Sequence, residues 1–530
     1  MSAPVKPKPS SGRPSSEPNA DGSTSRGAWM ALVAALLGWL FDGAEMGVFS
    51  LVGRAAVQNL LGYEGVLAGA RKDEVTLYFN VIIAVFLVGA ATGGVLFGWL
   101  GYRIGRVRAM SLSVLTYALF TGFCGLAQTP VQLAVLRFIA SLGMGGEWAL
   151  GVALVMEVWP NRSRAFMAGL IGAAANFGYL LVGFIGIGLN HFLTTDAPAV
   201  FRATGFSPET IGMLTSYQGW RLMMMLGTLP ALLTFFFRIF VPESHKWEEQ
   251  KAKGGTSHWM SIDLLGVLVG ALGPGLIVFV WATPGMSGIV RVVGTLVGIA
   301  VAVGGYTYPV YRYLVRAGAS DGTSPWPTIR KMLLGACLSG VALLGTWGST
   351  QSAPSWAATL TENTSVQNAR EYTLIVLSIG AIVGTILAAL AGDWFGRRIT
   401  YFGMCILSLV AAVILFQTHN SYGNSFLIWS FLAGVSTASF YGWLPLYLPE
   451  LFATRIRATG QGFAFNFGRI IAAIGTLQFA ALLPKFSNIE TYAGLRGGIP
   501  VVCSLMCGVY FFGMVIIWFA PETKGKPLPE

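Results

Sequence analysis

Charge is scarce in this chain and histidine scarcer still: Asp, Glu, Lys and Arg make up 11% of 530 residues, with 4 histidines and 5 cysteines. A soluble domain of this length needs a hydrated surface that so few charges cannot supply. Cys124, Cys337, Cys405, Cys503 and Cys507 all lie in apolar runs without His or Cys neighbours at ligand spacing. They read as packing residues rather than as metal ligands or a disulfide framework. No nucleophile stands beside a base and no strand precedes a glycine-rich loop, so neither an enzyme nor a bound cofactor is expected. The net charge of +11 would suit nucleic acid only on the basic face of a soluble domain, and the composition offers no such domain.

What the chain has instead is apolar residues, 54% of the total, with 68 glycines and 16 tryptophans. This is the composition of a polytopic, all-α membrane protein. Residues 1–27 are Ser, Pro, Gly and charge, a tail expected to be disordered rather than a signal peptide. Runs of roughly 20 apolar residues, each long enough to span, fall at 28–52, 76–100, 109–127, 130–156, 165–190, 220–241, 264–282, 288–312, 332–349, 372–392, 399–417, 425–449, 459–482 and 498–519. That predicts about fourteen helices. Basic residues such as Arg103, Arg106, Arg108, Arg397, Arg398 and Lys524 then gather on one side, which places both termini in the cytoplasm.

The chain also repeats itself. At a constant shift of 293 positions Glu157, Arg162, Arg164, Ala165 and Gly169 fall on Glu450, Arg455, Arg457, Ala458 and Gly462. The echo joins the fourth predicted helix to the twelfth, a difference of eight, so two helices are inserted between duplicated six-helix halves. The domain expectation is therefore a tail (1–27), a first bundle (28–241), a linker carrying the insert (242–331), a second bundle (332–520) and a tail (521–530). WLGYRIGRVR at 99–108 matches LAGDWFGRRI at 390–399, and PES at 242–244 echoes PET at 521–523.

Charges inside the spans mark candidate sites, because an ionised side chain in lipid costs a few kcal/mol and so faces protein or water. Asp42 and Glu45 share one face of the first helix, about a turn apart. Two carboxylates so close disfavour double ionisation, which makes a proton site. Glu45 lies roughly 10 Å below the outer end of its helix, and Arg137 at about the same depth, so the two are within reach of one another. The competing reading is a helix-end acid wetted by an outer vestibule. Glu147 and Arg469 lie roughly 15 Å from the inner ends of their helices. Arg469 fits a substrate carboxylate through its fork, or else a structural ion pair; Glu147 is a second proton site or a packing partner among Gly143, Gly145 and Gly146. Trp347, Phe440, Tyr441 and Trp443 are candidates for the cavity wall, with packing as the alternative.

The loop GWLGYRIGRVR, its counterpart AGDWFGRR, PESHKW and PETKG at the ends of the halves, and YLPELFATRIRATGQGFAFNFGR resemble the major facilitator superfamily. Within it, RFIASLGMGGEW and the two extra helices are most similar to the sialate and organic-acid proton symporters, a branch related to the sugar porters. The resemblance implies a monomeric carrier in the inner membrane that moves a small organic acid with protons by alternating access. A sugar or aromatic-acid symporter, or a solute sensor that does not transport, are the alternatives. It implies that Glu45 and Arg137 form a coupling pair, with Asp42 beside it, and that Arg106, Glu157, Arg164, Asp393, Arg397, Glu450 and Arg457 form a cytoplasmic latch. Enforcing topology is the competing role for the arginines, although the paired glutamates argue against it. One departure stands out. Tyr102 occupies the position of the family's usual acid in the first-half loop, whereas the second half keeps Asp393.

Overall fold

The computed structural model describes residues 26–159, 163–233, 236, 240–241, 243, 245–252, 259–318, 324–487 and 489–529. Among these residues the chain is almost wholly helical, as a hydrocarbon solvent demands: helices satisfy every backbone group within the segment. Thirteen helical segments of the described residues are long and apolar enough to cross a membrane. The first bundle has α1 (Arg26–Leu60), α2 (Gly69–Ile104), α3 (Arg106–Cys124), α4 (Pro130–Val158), α5 (Arg164–Thr195) and the short α6 (Trp220–Leu226). The sixth expected span, 220–241, is helical at Trp220–Leu226 and Leu229–Leu232, and several of its later residues lie outside the described ones.

The inserted hairpin is α7 (Leu264–Ala282) and α8 (Gly288–Gly318). The second bundle has α9 (Trp326–Trp347), α10 (Ala353–Thr361), α11 (Ala369–Phe395), α12 (Arg397–Thr418), α13 (Asn424–Thr437), α14 (Phe440–Tyr447), α15 (Arg457–Phe486), α16 (Ile499–Met506) and α17 (Val509–Ile516). The span expected at 332–349 starts earlier, at Trp326, and its membrane segment runs on through α10 to Thr361. Hydropathy alone misses both extensions, because they carry Arg330, Lys331 and a run of Ser, Thr and Gln.

The bundles meet along two seams. On one, α2 packs on α15; on the other, α5 packs on α11 and α14. Small residues make the close approach possible: a Cβ at Gly462 would press on Gly94 O, and one at Gly172 on Tyr441 O. The insert lies against the first seam, with α7 touching both α2 and α15, and Thr92 of α2 shares a hydrogen bond of 2.7 Å with Tyr306 of α8. Tight turns join α2 to α3 and α11 to α12 at Gly105 and Gly396, whose φ values of 108° and 95° suit only glycine. The face carrying these turns holds Arg103, Arg106, Arg397 and Arg398 and is called the arginine face below.

Candidate functional site

Between the bundles, side chains that hydropathy would exclude are gathered into one buried cluster. Asp42, Glu45, Arg137, Glu147 and Arg469 are each no more than 5% exposed. Glu45 of α1 and Arg137 of α4 form an ion pair, and Thr121 of α3 donates to the same Glu45 oxygen at 3.1 Å. The Arg137 guanidinium is held between the rings of Phe49 and Phe86, at 4.5 and 4.3 Å. Cation–π contact of this kind keeps a cation in an apolar wall. The second Glu45 oxygen and the Arg137 Nε have no hydrogen-bond partner, so the pair is incompletely satisfied.

Asp42 shares a helix face with Glu45, yet its strongest carboxylate neighbour is Glu147 of α4. Sequence spacing pairs Asp42 with Glu45; the packing of α1 on α4 adds a closer partner from another helix. The Glu147 carboxylate fills the space where a Cβ at Gly38 would stand, and a side chain there would evict it. The Glu147 carboxyl has no donor besides the Asp42 carboxyl it meets. Arg469 of α15 acts as a cation on Asp42 and, more weakly, on Glu45. Its Nη1 is unpartnered, and its guanidinium lies 5.4 Å from the Phe465 ring. The cluster of acids and guanidinium groups is thus only partly satisfied.

Aromatic rings from both bundles wall the cluster. Trp148 stacks on Phe465 with centroids 3.9 Å apart, Trp39 leans on Trp148 at 5.9 Å, and Tyr441 meets Phe465 edge-on at 6.5 Å. Tyr441 therefore belongs to the wall. Phe440 and Trp443 do not: they pack against Tyr401, Tyr510 and Tyr447 in the interior of the second bundle. Trp347 lines a separate small cavity together with Asn80 and Gln351. Trp148, Phe465 and Thr121 escape notice in the sequence, although Trp148 follows Glu147 directly and Phe465 lies one turn before Arg469, a proximity that would have singled out those two.

The arginine face is closed by two kinds of contact. Arg397 makes a two-pronged bond to Glu450, at 3.1 and 2.7 Å, with Thr523 donating to Glu450 at 2.5 Å. Asp393, half exposed, stands 3.6 Å from Arg397. These expected latch residues all belong to the second bundle, so their pairing is internal to it and does not bridge the seam: α12 begins directly opposite the end of its own bundle's Leu448–Leu451 turn. Arg457 donates to Pro529 O at 2.6 Å and Phe452 O at 3.3 Å. Arg164, from the first bundle, feels the charge of Glu450. Arg106 lies over the Tyr102 ring at 4.6 Å. The Glu157 side chain, expected in this group, lies outside the described ones, as does Arg162.

Several uncharged side chains bond across the seam on the side of the arginine face. Tyr102 donates its hydroxyl to Thr454 O at 3.3 Å and accepts from the Ala458 amide at 3.1 Å. Gln461 donates to Ala149 O at 2.8 Å and Asn466 to Gly145 O at 3.0 Å. At the opposite face the seam holds a cavity of about 830 Å³ lined by both bundles. Among the described residues the seam is bridged toward the arginine face and recessed at the other.

The family described as "Sugar (and other) transporter" matches residues 30–258 and 355–530, more than half of the chain. The chain belongs to that family. The sugar transporter match passes over 259–354, the stretch that holds α7 and α8. The cis,cis-muconate transport protein of Acinetobacter baylyi is 26% identical over 85% of this chain and 87% of its own. The sialic acid transporter NanX of Escherichia coli is 24% identical over 94% of each. The proton:xylose symporter XylE bound to 6-bromo-6-deoxy-D-glucose superposes with a TM-score of 0.65 at 18% identity, covering 96% of this chain and 98% of that one. The fold is that of the major facilitator superfamily, two six-helix bundles with two extra central helices, in a multi-pass membrane transporter of the sugar or organic-acid type.

Proposed function

We propose that this transporter is a proton-coupled symporter that carries a small organic acid with a flat, unsaturated or aromatic body into the cell, with the arginine face and both termini in the cytoplasm of an inner membrane. The observation that carries the reading is the juxtaposition of the Glu45–Arg137 ion pair with the unpartnered Arg469 fork inside one aromatic-walled cluster. Arg469 receives the substrate carboxylate, and Trp39, Trp148, Phe465 and Tyr441 receive its body. The aromatic wall favours an unsaturated acid over a sugar, which would need more hydrogen-bonding groups around it. The names of relatives that carry muconate and sialic acid support an acid.

Coupling follows from elementary electrostatics. A carboxylate stays ionised beside a cation and is neutralised when left buried without one. Both groups belong to the first bundle, so a rearrangement within that bundle, coupled to its rocking against the other, parts Arg137 from Glu45: Glu45 then takes a proton, and gives it up on the other side when they rejoin. Asp42 and Glu147, sharing one enclosed space, tune that exchange. Closure of the arginine face rests on the seam bonds of Tyr102, Gln461 and Asn466, and on the long-range pull of Glu450 on Arg164.

The test is uptake in proteoliposomes with an imposed pH gradient, using a panel of radiolabelled acids and sugars. Glu45→Gln fixes the neutral form, so it abolishes accumulation against a gradient while exchange of substrate across the membrane continues. Normal concentrative uptake by that variant, with unchanged proton stoichiometry, would transfer the coupling role to Glu147 or Asp42. Uptake of sugars and of no acid would end the substrate reading.

A further inference from the structure

The cavity of about 830 Å³ at the face away from the arginine cluster has two guanidinium groups in its wall, Arg54 from α1 and Arg370 from α11. They come from different bundles, yet both are fixed to the same stretch of α1. Arg370 donates to Leu51 O at 2.8 Å across the seam, three residues from Arg54. Arg54 in turn donates to Thr76 of α2 at 3.2 Å and lies over the Phe79 ring at 4.8 Å. Arg370 acts on Arg54 as a like charge. Two cations that repel one another share this recess, one held by a bond across the seam and the other by contacts within its own bundle.

Nearby acids do not neutralise them. Lys72 adds a third cation to the wall, while Asp73 and Glu362 contribute carboxylates, and Glu371 offsets part of the Arg370 charge. Neither arginine forms an ion pair among the described residues, and the buried Nε of each has no hydrogen-bond partner. Arg54 also lines a smaller neighbouring cavity of about 40 Å³ together with Asn80 and Gln351, so it belongs to the walls of both recesses.

We infer that Arg54 and Arg370 form a second, outer binding site for a carboxylate anion, which captures the organic acid at the mouth before it reaches Arg469. The inference rests on the organic-acid reading above. An anion between the two forks removes the repulsion and supplies the missing acceptors in one step. Because the mouth is hydrated, capture there is weak and sensitive to ionic strength, and its effect falls on the association rate rather than on the transport step.

The experiment uses the full-length chain in proteoliposomes with cis,cis-muconate and benzoate as labelled probes and xylose as a neutral comparison. The double variant Arg54→Gln/Arg370→Gln should raise the KM for external acid by about tenfold, the scale of one lost charged hydrogen bond, and flatten its dependence on salt. The kcat for uptake stays at its wild-type value, while kcat/KM for efflux from preloaded vesicles without a gradient falls by the same factor, as detailed balance requires. Arg54→Lys/Arg370→Lys keeps the charges and holds the KM within about twofold, because point charge alone steers. An unchanged KM and salt profile in the Gln variant, with wild-type acid transport intact, overturns the outer site and leaves the acid reading standing. A fall of kcat and thermal stability together in the Gln variant assigns both arginines to structure and also overturns it. Wild-type uptake of xylose but neither acid defeats the substrate reading, and the outer site with it.

Discussion

The two halves of the chain solve one problem, anchoring the turn between their second and third helices, with different chemistry. In the second half, Arg397 is held by Glu450 through two bonds, Asp393 stands near, and Glu522 caps α12. The assembly is ionic and closed within its own bundle. In the first half, Glu243 caps α3 in the same manner, accepting from the Arg106 amide at 2.8 Å and from Val107 at 3.2 Å. Tyr102, however, replaces the acid and faces outward, bonding to Thr454 and Ala458 of the other bundle. Its ring stacks on Trp259 at 5.1 Å, and Trp259 stacks on Tyr313 of the inserted hairpin at 4.4 Å. Exchanging a carboxylate for a phenol thus turns an internal anchor into a clasp between two bundles and the insert.

The sharpest way to break this comparison is to remove one charge from the second half. Arg397 and Glu450 have side chains only 4% exposed, so either Arg397→Ala or Glu450→Ala strands a buried charge at a cost of about 3–5 kcal/mol. The thermal midpoint in detergent should fall by several degrees. Arg397→Met combined with Glu450→Leu should recover most of the loss, since a well-packed apolar pair replaces an ion pair at little cost. A double variant no better than the singles would mean that the pair contributes through a further partner.

A gentler change sharpens the contrast in the first half. Tyr102→Phe removes the two seam bonds and keeps the ring stack, a loss of about 1 kcal/mol. It acts on the closed arrangement alone, so the population opened at the arginine face should rise about fivefold, read as faster labelling of a cysteine placed at Ala149 by a thiol reagent supplied on that side. Trp259→Ala leaves the seam bonds and breaks the stack. It should loosen α7 and α8, seen as faster amide exchange there, without altering substrate affinity. If Trp259→Ala opens the seam as much as Tyr102→Phe, the insert itself latches the carrier.

Why some of this was legible in the sequence and some not follows from the range of each interaction. Span positions and the inserted hairpin are written in apolar run length and in the 293-residue echo, which are local or periodic. Glu45 and Arg137 are placed at one depth by counting rise along their helices. The partner of Asp42 is not, because it depends on how α1 rotates against α4, and Gly38, which makes room for Glu147, is one glycine among 68. Depth likewise could not separate Tyr441 from Phe440 and Trp443, which differ in the direction they face. The latch was read from paired charges at helix ends and from the family resemblance, and neither says whether a given pair closes within a bundle or across the seam. Tyr102 showed as a departure from pattern, but its stack on Trp259 joins residues 157 positions apart through a linker with no periodicity to read.

The smallest expected effect concerns the two capping glutamates, which the repeat set in parallel. Glu522 accepts from the backbone amides of Arg397, Arg398, Thr523 and Lys524 at 3.0–3.1 Å. Its partial burial would by itself push the carboxyl up, but those four amides outweigh it and hold the group below its ordinary range. A carboxyl depressed in the folded state contributes stability that is fully present above its unfolded value and lost as pH falls through the folded one. The anchoring of the C-terminal segment on α12 should therefore be constant from neutral pH down to about 5 and weaken below about 4, where an unfolded glutamate is already protonated. Hydrogen exchange at the Arg397 and Arg398 amides, corrected for its intrinsic pH dependence, reads this directly. Glu522→Gln retains one acceptor but not the charge, so those amides should exchange a few-fold faster at neutral pH, and the step below about pH 4 should vanish. Exposure and screening keep the effect small, and it stays local: protection of α3 at Arg106 and Val107, capped by Glu243, should be unmoved. A change there on mutating Glu522 would mean that the two halves, so different at Tyr102, are nonetheless coupled at their caps.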